Sequence, residues 1–333
     1  MSKYNKSDRL LGIFLRLIRG SDIRVSKLAR EYDVTTKTIS RDINDLRAFF
    51  ANNQALSGGM DIIYSRSTGA YALHTDEFLQ AHEMFSVIKI LLGTRALDKE
   101  ALLKIKNKLK QFTSVEDNMA LDTLVANEFY HYSPVKSDCK NLIDNLWRIS
   151  KAIYNKDELR ITYYKMDRTE ITRRILPVSI IFSEFYFYVF AYHETDSGIK
   201  LRNYRLDRIT HIVKPRDRVI KDLPQNFDEG EFRKLNRYMF PGRNRIIRFE
   251  FTGPSVQAVL DKLPTAEIVD ADGEKYTIKA RVHGDGIKMF LLSQGSWVKV
   301  LEPQEFADEL KNEITKMLAK YEGSEKNEHE TDV

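Results

Sequence analysis

Hydrophobic residues over the first fifty positions recur at helical spacing in three separate stretches. From 8 to 19, Leu10, Leu11, Phe14, Leu15 and Ile18 form an i, i+3/i+4 stripe, and Gly20 stands just past its end. Ser26 is placed to cap a short second helix, KLAREY, with Leu28 and Ala29 inward. Asp33 and Val34 make a turn. Thr35 then suits the N-cap of a third helix within VTTKTISRDINDL, where Ile39, Ile43 and Leu46 supply the buried stripe. Helix, short helix, tight turn, helix is the helix-turn-helix order. Two β-like stretches, MDIIYS and GAYALH, follow Gly58-Gly59, with Arg66-Ser67-Thr68-Gly69 between them. A polar turn between two short strands is the pattern of a wing, so residues 1–74 read as a winged helix-turn-helix.

The period changes twice more. Residues 75–157 carry apolar stripes near 76–92, 98–112, 120–130 and 138–155, with a break at Ser133-Pro134, and read as a helical connector. From Glu158 the chain turns β-rich: LRITYYKM, ITRRILPVSIIF, EFYFYVFAYHE and IKLRNYRLDRITHIV, with turns between them. Short strands at this spacing predict a small antiparallel barrel of Sm/SH3-like type over 158–220. Residues 243–321 mix strands and helices as a small α+β domain, with a hairpin turn at Asp272-Gly273. The end, 322–333, is polar and acidic and reads as a disordered tail. The fold class is multidomain α+β.

Charge sharpens this picture. The 333-residue chain has a net charge of +5, and residues 1–50, with eleven basic and six acidic side chains, hold an excess equal to that whole value. The single cysteine, Cys139, excludes an internal disulfide framework and a cysteine-based zinc site. No stretch reads as a membrane span or a signal peptide, so the expectation is a cytoplasmic protein with no membrane partner.

Two groups of side chains carry candidate chemistry. On the third helix, Thr36, Lys37, Thr38, Ser40, Arg41 and Asn44 lie on the more exposed faces. Such residues can hold phosphates or read base edges in a major groove. Ser26 on the preceding helix and Arg66 in the wing join them. Asp42 and Asp45 are expected to pair within the domain. A merely solvated amphipathic helix is the alternative. In the barrel, Tyr163, Arg173, Tyr188, Tyr192, His193, Arg202, Arg205 and Arg208 fall on neighbouring strands. Guanidinium groups bind phosphate in a bidentate way and aromatic faces stack bases. The alternative there is structural: arginines paired with Asp207, Glu170 and Glu184, and tyrosines in the core. Arg202 and Arg205 would face opposite sides of a regular strand. The seven histidines show no ligand-like pair on one helix face, and neither a P-loop nor a G-x-S-x-G motif occurs. The expectation is therefore no metal, no cofactor and no enzyme activity.

The sequence resembles one family over nearly its whole length, the bacterial WYL-domain transcriptional regulators. LAREYDVTTKTISRDINDL is similar to the family's DNA-binding helix pair. In the second half, Arg173 precedes Pro177 by four residues, and Phe187-Tyr188-Val189 stands where the family has Trp-Tyr-Leu. Arg202, Tyr204, Arg205, Leu206, Asp207, Arg208 and Ile209 match its most specific run. Residues 246–321, with LEPQEF, resemble the extension usual after a WYL domain. The resemblance implies a ligand-responsive regulator, expected to be a homodimeric repressor on an inverted-repeat operator in double-stranded DNA. Its WYL domain would sense a nucleotide or a single-stranded nucleic acid. Three rivals stand beside it: an enzyme fused to a DNA-binding domain, a sugar-phosphate-responsive regulator, and a constitutive DNA binder whose barrel is an assembly module. The strand-rich block after Glu158 argues against the second.

Overall fold

A computed structural model describes residues 4–75, 79–113, 115–196, 198–217, 228–236, 238–240 and 242–328. The chain divides into two compact units, Met1–Lys136 and Ser137–Val333.

In the first unit, α1 (Lys6–Ile18) starts from Asn5, which exchanges capping hydrogen bonds with Asp8. Its buried stripe is Ile13 and Leu17, flanked by Leu10 and Phe14; Leu11 and Leu15 face solvent. The helix is thus rotated from the stripe expected. The rotation brings Arg9 inward, where it pairs with Asp42. α2 (Val25–Glu31) follows Arg24 and has no side-chain cap, so Ser26 lies inside the helix rather than capping it. Asp33 takes a positive φ of 52° in the tight turn. Thr35 caps α3 (Thr36–Asn52), accepting from the Thr38 amide at 3.1 Å. α3 buries Ile39, Asp42, Ile43, Leu46 and Phe50. After α4 (Gln54–Ser57), β1 (Asp61–Ser65) and β2 (Ala70–His74) form an antiparallel hairpin, Asp61 opposite His74. Ile23 and Tyr71 exchange backbone hydrogen bonds of 2.7 and 2.8 Å, which fasten the hairpin to the segment before α2. Three further helices complete the unit: α5 (Ala81–Thr94), α6 (Lys99–Leu109) and α7 (Val115–Tyr130). Met84, Ile88, Leu92, Leu102, Leu121 and Val125 are their buried positions.

The second unit opens with α8 (Leu142–Asn155). Sequence reading placed this helix in the connector; instead Ile149 and Ala152 pack into the core of the sheet that follows. That sheet comprises β3 (Leu159–Tyr164), β4 (Glu170–Ser183), β5 (Tyr186–Thr195), β6 (Gly198–Arg205) and β7 (Ile209–Val213). Its order is β6-β5-β4-β3-β7, antiparallel throughout, so the ladder stays open where a closed barrel was expected. One core nevertheless draws residues from all five strands, among them Ile161, Ile175, Val189, Tyr204 and Ile212. The expected single strand from 199 to 213 is two strands, split by a 3-10 turn over Leu206–Arg208.

β4 belongs to two ladders. Its first half pairs with β3, and from Leu176 onward it pairs with β5. The switch is a bulge between Pro177 and Ser179, beside a proline that has no amide to donate.

After α9 (Glu229–Leu235), the chain builds a second sheet in βαββαβ order. β8 (Asn244–Phe251), α10 (Val256–Lys262), β9 (Glu267–Asp272), β10 (Lys275–His283), α11 (Gly286–Ser293), β11 (Val298–Glu302) and α12 (Gln304–Glu328) follow in turn. The strand order β11-β8-β10-β9 is that of a split βαβ, or ferredoxin-like, fold. Alternation on β8 sends Ile247, Phe249 and Phe251 into a core closed by Phe306 and Leu310 of α12. The tail expected from residue 322 is helical up to Glu328, and 329–333 lie outside the described residues. Among the described residues no helix is long and apolar enough to cross a membrane.

Candidate nucleic-acid interface and anion cleft

α3 sorts its charges by face. Asp42 turns inward and takes a bidentate contact from Arg9, Nε to Oδ2 at 2.7 Å and Nη2 to Oδ1 at 3.3 Å. Asp45 pairs with Lys6 at 2.8 Å. Both acids of the helix are thereby neutralised within the unit. Thr36, Lys37, Arg41 and Asn44 are exposed and Ser40 is half-buried. Among the described residues no carboxylate pairs with Lys37 or Arg41. Thr38 serves the cap instead of the open face: its hydroxyl lies 2.9 Å from that of Thr35. Ser26 is exposed, and its carbonyl accepts from Arg30 Nε at 3.3 Å. Arg66 is exposed in the hairpin turn.

Sequence reading passed over three cations on and before α2: Arg24, Lys27 and Arg30. They are exposed and, among the described residues, without an ion-pair partner. Arg16, by contrast, is paired with Glu31. The charge of the segment alone does not separate these two kinds of arginine; their partners do.

In the second unit the eight expected ligand residues do not form one cluster. Strand parity decides the outcome. Tyr163, Arg173, His193 and Arg202 share the inner face with Tyr204, as the core contacts of Ile161, Ile175, Ala191 and Tyr204 on the same strands require. Tyr204 and Lys200, opposite His193 across the β5–β6 ladder, are members of this group that sequence reading left out. Tyr192 lies on the other face and packs against Leu176, Val178, Ile199 and Leu201. Arg205 also faces away: it binds Asp207 through Nε at 3.1 Å and Nη2 at 2.7 Å, and its guanidinium lies 3.4 Å from the Tyr186 ring centre. Tyr188 lies beside Arg205, opposite it across the ladder. Arg208 is half-buried and, among the described residues, unpaired. The partner of Asp207 is thus Arg205 rather than Arg208.

Two members of this group, Arg173 and His193, line a cleft of about 490 Å³ together with Thr172, Arg174, Glu194, Thr195 and Asp196. The cleft exists because β4 leaves β5 at the bulge. Residues 193–195 of β5 pair only with β6, and residues 170–175 of β4 only with β3. Arg174 is tied to Asp217 at 3.1 Å. Arg173, Arg202 and Lys200 have no carboxylate partner among the described residues. His193 is buried, and its Nε2 lies 3.2 Å from Arg173 Nη1. Burial first, then the neighbouring charges of Arg173 and Arg202, hold its imidazole below the ordinary histidine range. The ring is therefore neutral at pH 7 and accepts from Arg173. Tyr204 is edge-on to Tyr163, ring centres 5.4 Å apart, and burial holds its phenol above the ordinary range. Arg173, Lys200 and Arg202 thus share one face with the Tyr163 and Tyr204 rings, and guanidinium groups beside aromatic rings are chemically suited to an anion that carries a planar group. Among the described residues no group of three or more His, Cys, Asp or Glu side chains is arranged to hold a metal ion.

Residues 144–213, from α8 to β7, match the WYL domain model, and residues 244–318, from β8 into α12, match the WCX domain model. The chain carries a WYL domain and a WCX domain. No curated protein matches it. Among solved structures it is similar to proteasome accessory factor B/C (PafBC) of Arthrobacter aurescens, at 16% identity and a TM-score of 0.28. That match covers 95% of this chain and 48% of the other, so the chain spans about half the length of PafBC. A CRISPR Cas-related protein matches at 13% identity and a TM-score of 0.39, covering 75% of this chain and 76% of that one. In the WYL domain, the Phe187-Tyr188-Val189 stretch lies on β5. The Arg205–Ile209 run forms the end of β6, the 3-10 turn and the start of β7.

Proposed function

We propose that this protein is a DNA-binding transcription regulator whose WYL domain senses a nucleotide or a short single-stranded nucleic acid. Residues 4–74 act as a winged helix-turn-helix, with α3 in the major groove and the β1–β2 hairpin as the wing. The observation that carries the reading is the sorting of charge on α3. Asp42 is buried against Arg9 and Asp45 is paired with Lys6 at the surface, while Lys37 and Arg41 stay exposed beside Ser40 and Asn44. A helix built only for solubility has no need to neutralise both its acids while leaving Lys37 and Arg41 without a carboxylate partner. Lys37 and Arg41 hold phosphates or guanine edges, and Asn44 belongs to the same exposed set. One such helix supplies too little affinity alone, so two copies bind an inverted repeat as a homodimer. The WYL and WCX domains support the reading, because the sequence resemblance ties this combination to transcription regulators. Occupancy of the cleft changes DNA affinity only if the ligand binds one arrangement of the dimer better than another. Repression released by the ligand is the simplest such scheme. No catalytic role is assigned to the cleft.

The test is a mobility-shift titration of the full chain on the DNA upstream of its own gene, repeated with short single-stranded oligonucleotides and nucleotides. A specific shift that one of them releases or strengthens supports the reading. A specific shift indifferent to all of them leaves the constitutive binder, with the WYL domain as an assembly module.

A further inference from the structure

The cleft of the WYL domain combines two features that point beyond a general preference for anions. The first is a group of cations on one face of the sheet. Arg173 on β4, which lines the cleft within 3.2 Å of the His193 ring, and Lys200 and Arg202 on β6, on the same face beside His193, have no carboxylate partner among the described residues. The second is His193 itself, which is 4% exposed and lines the cleft. Among the described residues the groups around it are Arg173 from β4, Lys200, Arg202 and Tyr204 from β6, and Glu194 and Asp196, which line the cleft beside it.

The guanidinium groups oppose a charge on the ring, and Arg173 Nη1 donates to its Nε2. An anion that draws Arg173 and Arg202 onto its oxygens removes both constraints. The repulsion is cancelled and Nε2 is released. A phosphate monoester carries about −1.5 to −2 charges at pH 7, and a diester carries about one. A monoester therefore leaves net negative charge against the ring, and the ring takes a proton from solvent and donates it as a hydrogen bond to phosphate. A diester lacks that surplus. The rim carboxylates Glu194 and Asp196 also oppose a second phosphate and so favour the end of a strand over its middle.

Resting on the nucleic-acid-sensing reading above, we propose that His193 is a specificity-determining residue that makes the cleft select a terminal phosphate monoester, on a nucleotide or an oligonucleotide end, over an internal diester, with proton uptake on binding. The proton comes from water and goes to Nε2; no covalent bond of the ligand is made or broken.

The experiment uses the full-length protein and one short oligothymidylate in two forms, 5′-phosphorylated and 5′-hydroxyl, by titration calorimetry near pH 7 in two buffers of different ionisation enthalpy. The expected result is about tenfold or more tighter binding of the phosphorylated form. Its heat should differ between the buffers by the amount for uptake of a large fraction of one proton. His193→Gln should bring the two affinities together and abolish the buffer dependence. Should that variant fail to fold, Arg202→Gln, at an exposed position, should narrow the difference between the two forms. Equal affinities, or heats independent of buffer, overturn the role of His193 and leave the sensing reading intact. Binding of neither form overturns both.

Discussion

Arg9 and Asp42 form a two-point ion pair inside the three-helix core, 2.7 and 3.3 Å, with the two residues 8% and 2% exposed. The pair fixes the rotation of α1 against α3 and so decides which side chains of α3 reach outward. Removing one partner strands a buried charge, whereas replacing both with apolar groups does not. Asp42→Ala should cost about 3–5 kcal/mol. Arg9→Met with Asp42→Leu should recover most of that loss. Hydrogen exchange of the α3 amides in the full chain reads both, since exchange reports local stability in a protein of several domains. Equal losses in the single and double variants would contradict a buried pair.

The same pair shows where sequence reading stops. Period, caps and turn residues expose most of the element order: Thr35 before α3, Gly69 in the hairpin, Asp272-Gly273 between β9 and β10. They do not reveal long-range partners. That Asp42 pairs within the domain is expected from the sequence; that its partner is Arg9, 33 residues away, is not. In the WYL sheet the failure has another cause. Whether two residues on neighbouring strands share a face depends on register, and one bulge or turn reverses it. Parity along the β5–β6 ladder turns Arg205, Tyr188 and Tyr192 to the face opposite Arg202 and His193. The residue types of the site were legible; their grouping needed the ladder.

Lys37 and Arg41 should carry DNA affinity that Arg16 does not. Arg41→Ala should weaken binding to a selected operator by about 1–3 kcal/mol if it reads a base. If it holds a phosphate, it should instead lower the slope of log K against log salt by about one on any duplex. Arg16→Ala, in a residue already paired with Glu31, should change neither. Fluorescence anisotropy over a range of salt separates the three cases.

Asp207 should act as a structural latch. Its carbonyl accepts from the amides of Asp138 and Cys139 at 2.9 and 3.0 Å, and its carboxylate is held by Arg205. Arg205→Ala leaves a buried carboxylate without its charged partner, and the loss should be about 1.5–3 kcal/mol. The amides of Asp138 and Cys139 should then exchange faster, while phosphate binding at Arg173, on the other face, should change little. Loss of binding with unchanged exchange would instead place Arg205 in the ligand site.

Tyr192→Phe and Arg173→Gln should separate the two faces of the β5 neighbourhood. Tyr192 packs in an apolar cluster away from the cleft, so loss of its hydroxyl should leave oligonucleotide affinity unchanged. Arg173→Gln removes a charge-assisted donor from the cleft and should weaken binding by about 1.5–3 kcal/mol. Calorimetry on the phosphorylated oligothymidylate checks both; equal effects would mean that the anion sits elsewhere.

Stability of the ligand-free protein should fall as the pH drops below the histidine range. Burial and the charges of Arg173 and Arg202 lower the pKa of His193, and burial lowers that of His283. An unfolded histidine titrates near pH 6.5, so between that value and the lower folded value the unfolded chain binds the extra proton. Stability is then fully present above about pH 6.5 and is lost as the pH falls through the folded pKa values. Inorganic phosphate should oppose the loss at His193, because the anion removes the repulsion that keeps the ring neutral, whereas His283, outside the cleft, should keep its share. Thermal melts of the full chain from about pH 8 to about pH 5, with and without phosphate, check this. His193→Gln should flatten part of the pH dependence and remove the pH-specific part of the phosphate effect. A melt whose phosphate response is the same at both ends of the range would show that the imidazole does not face the anion.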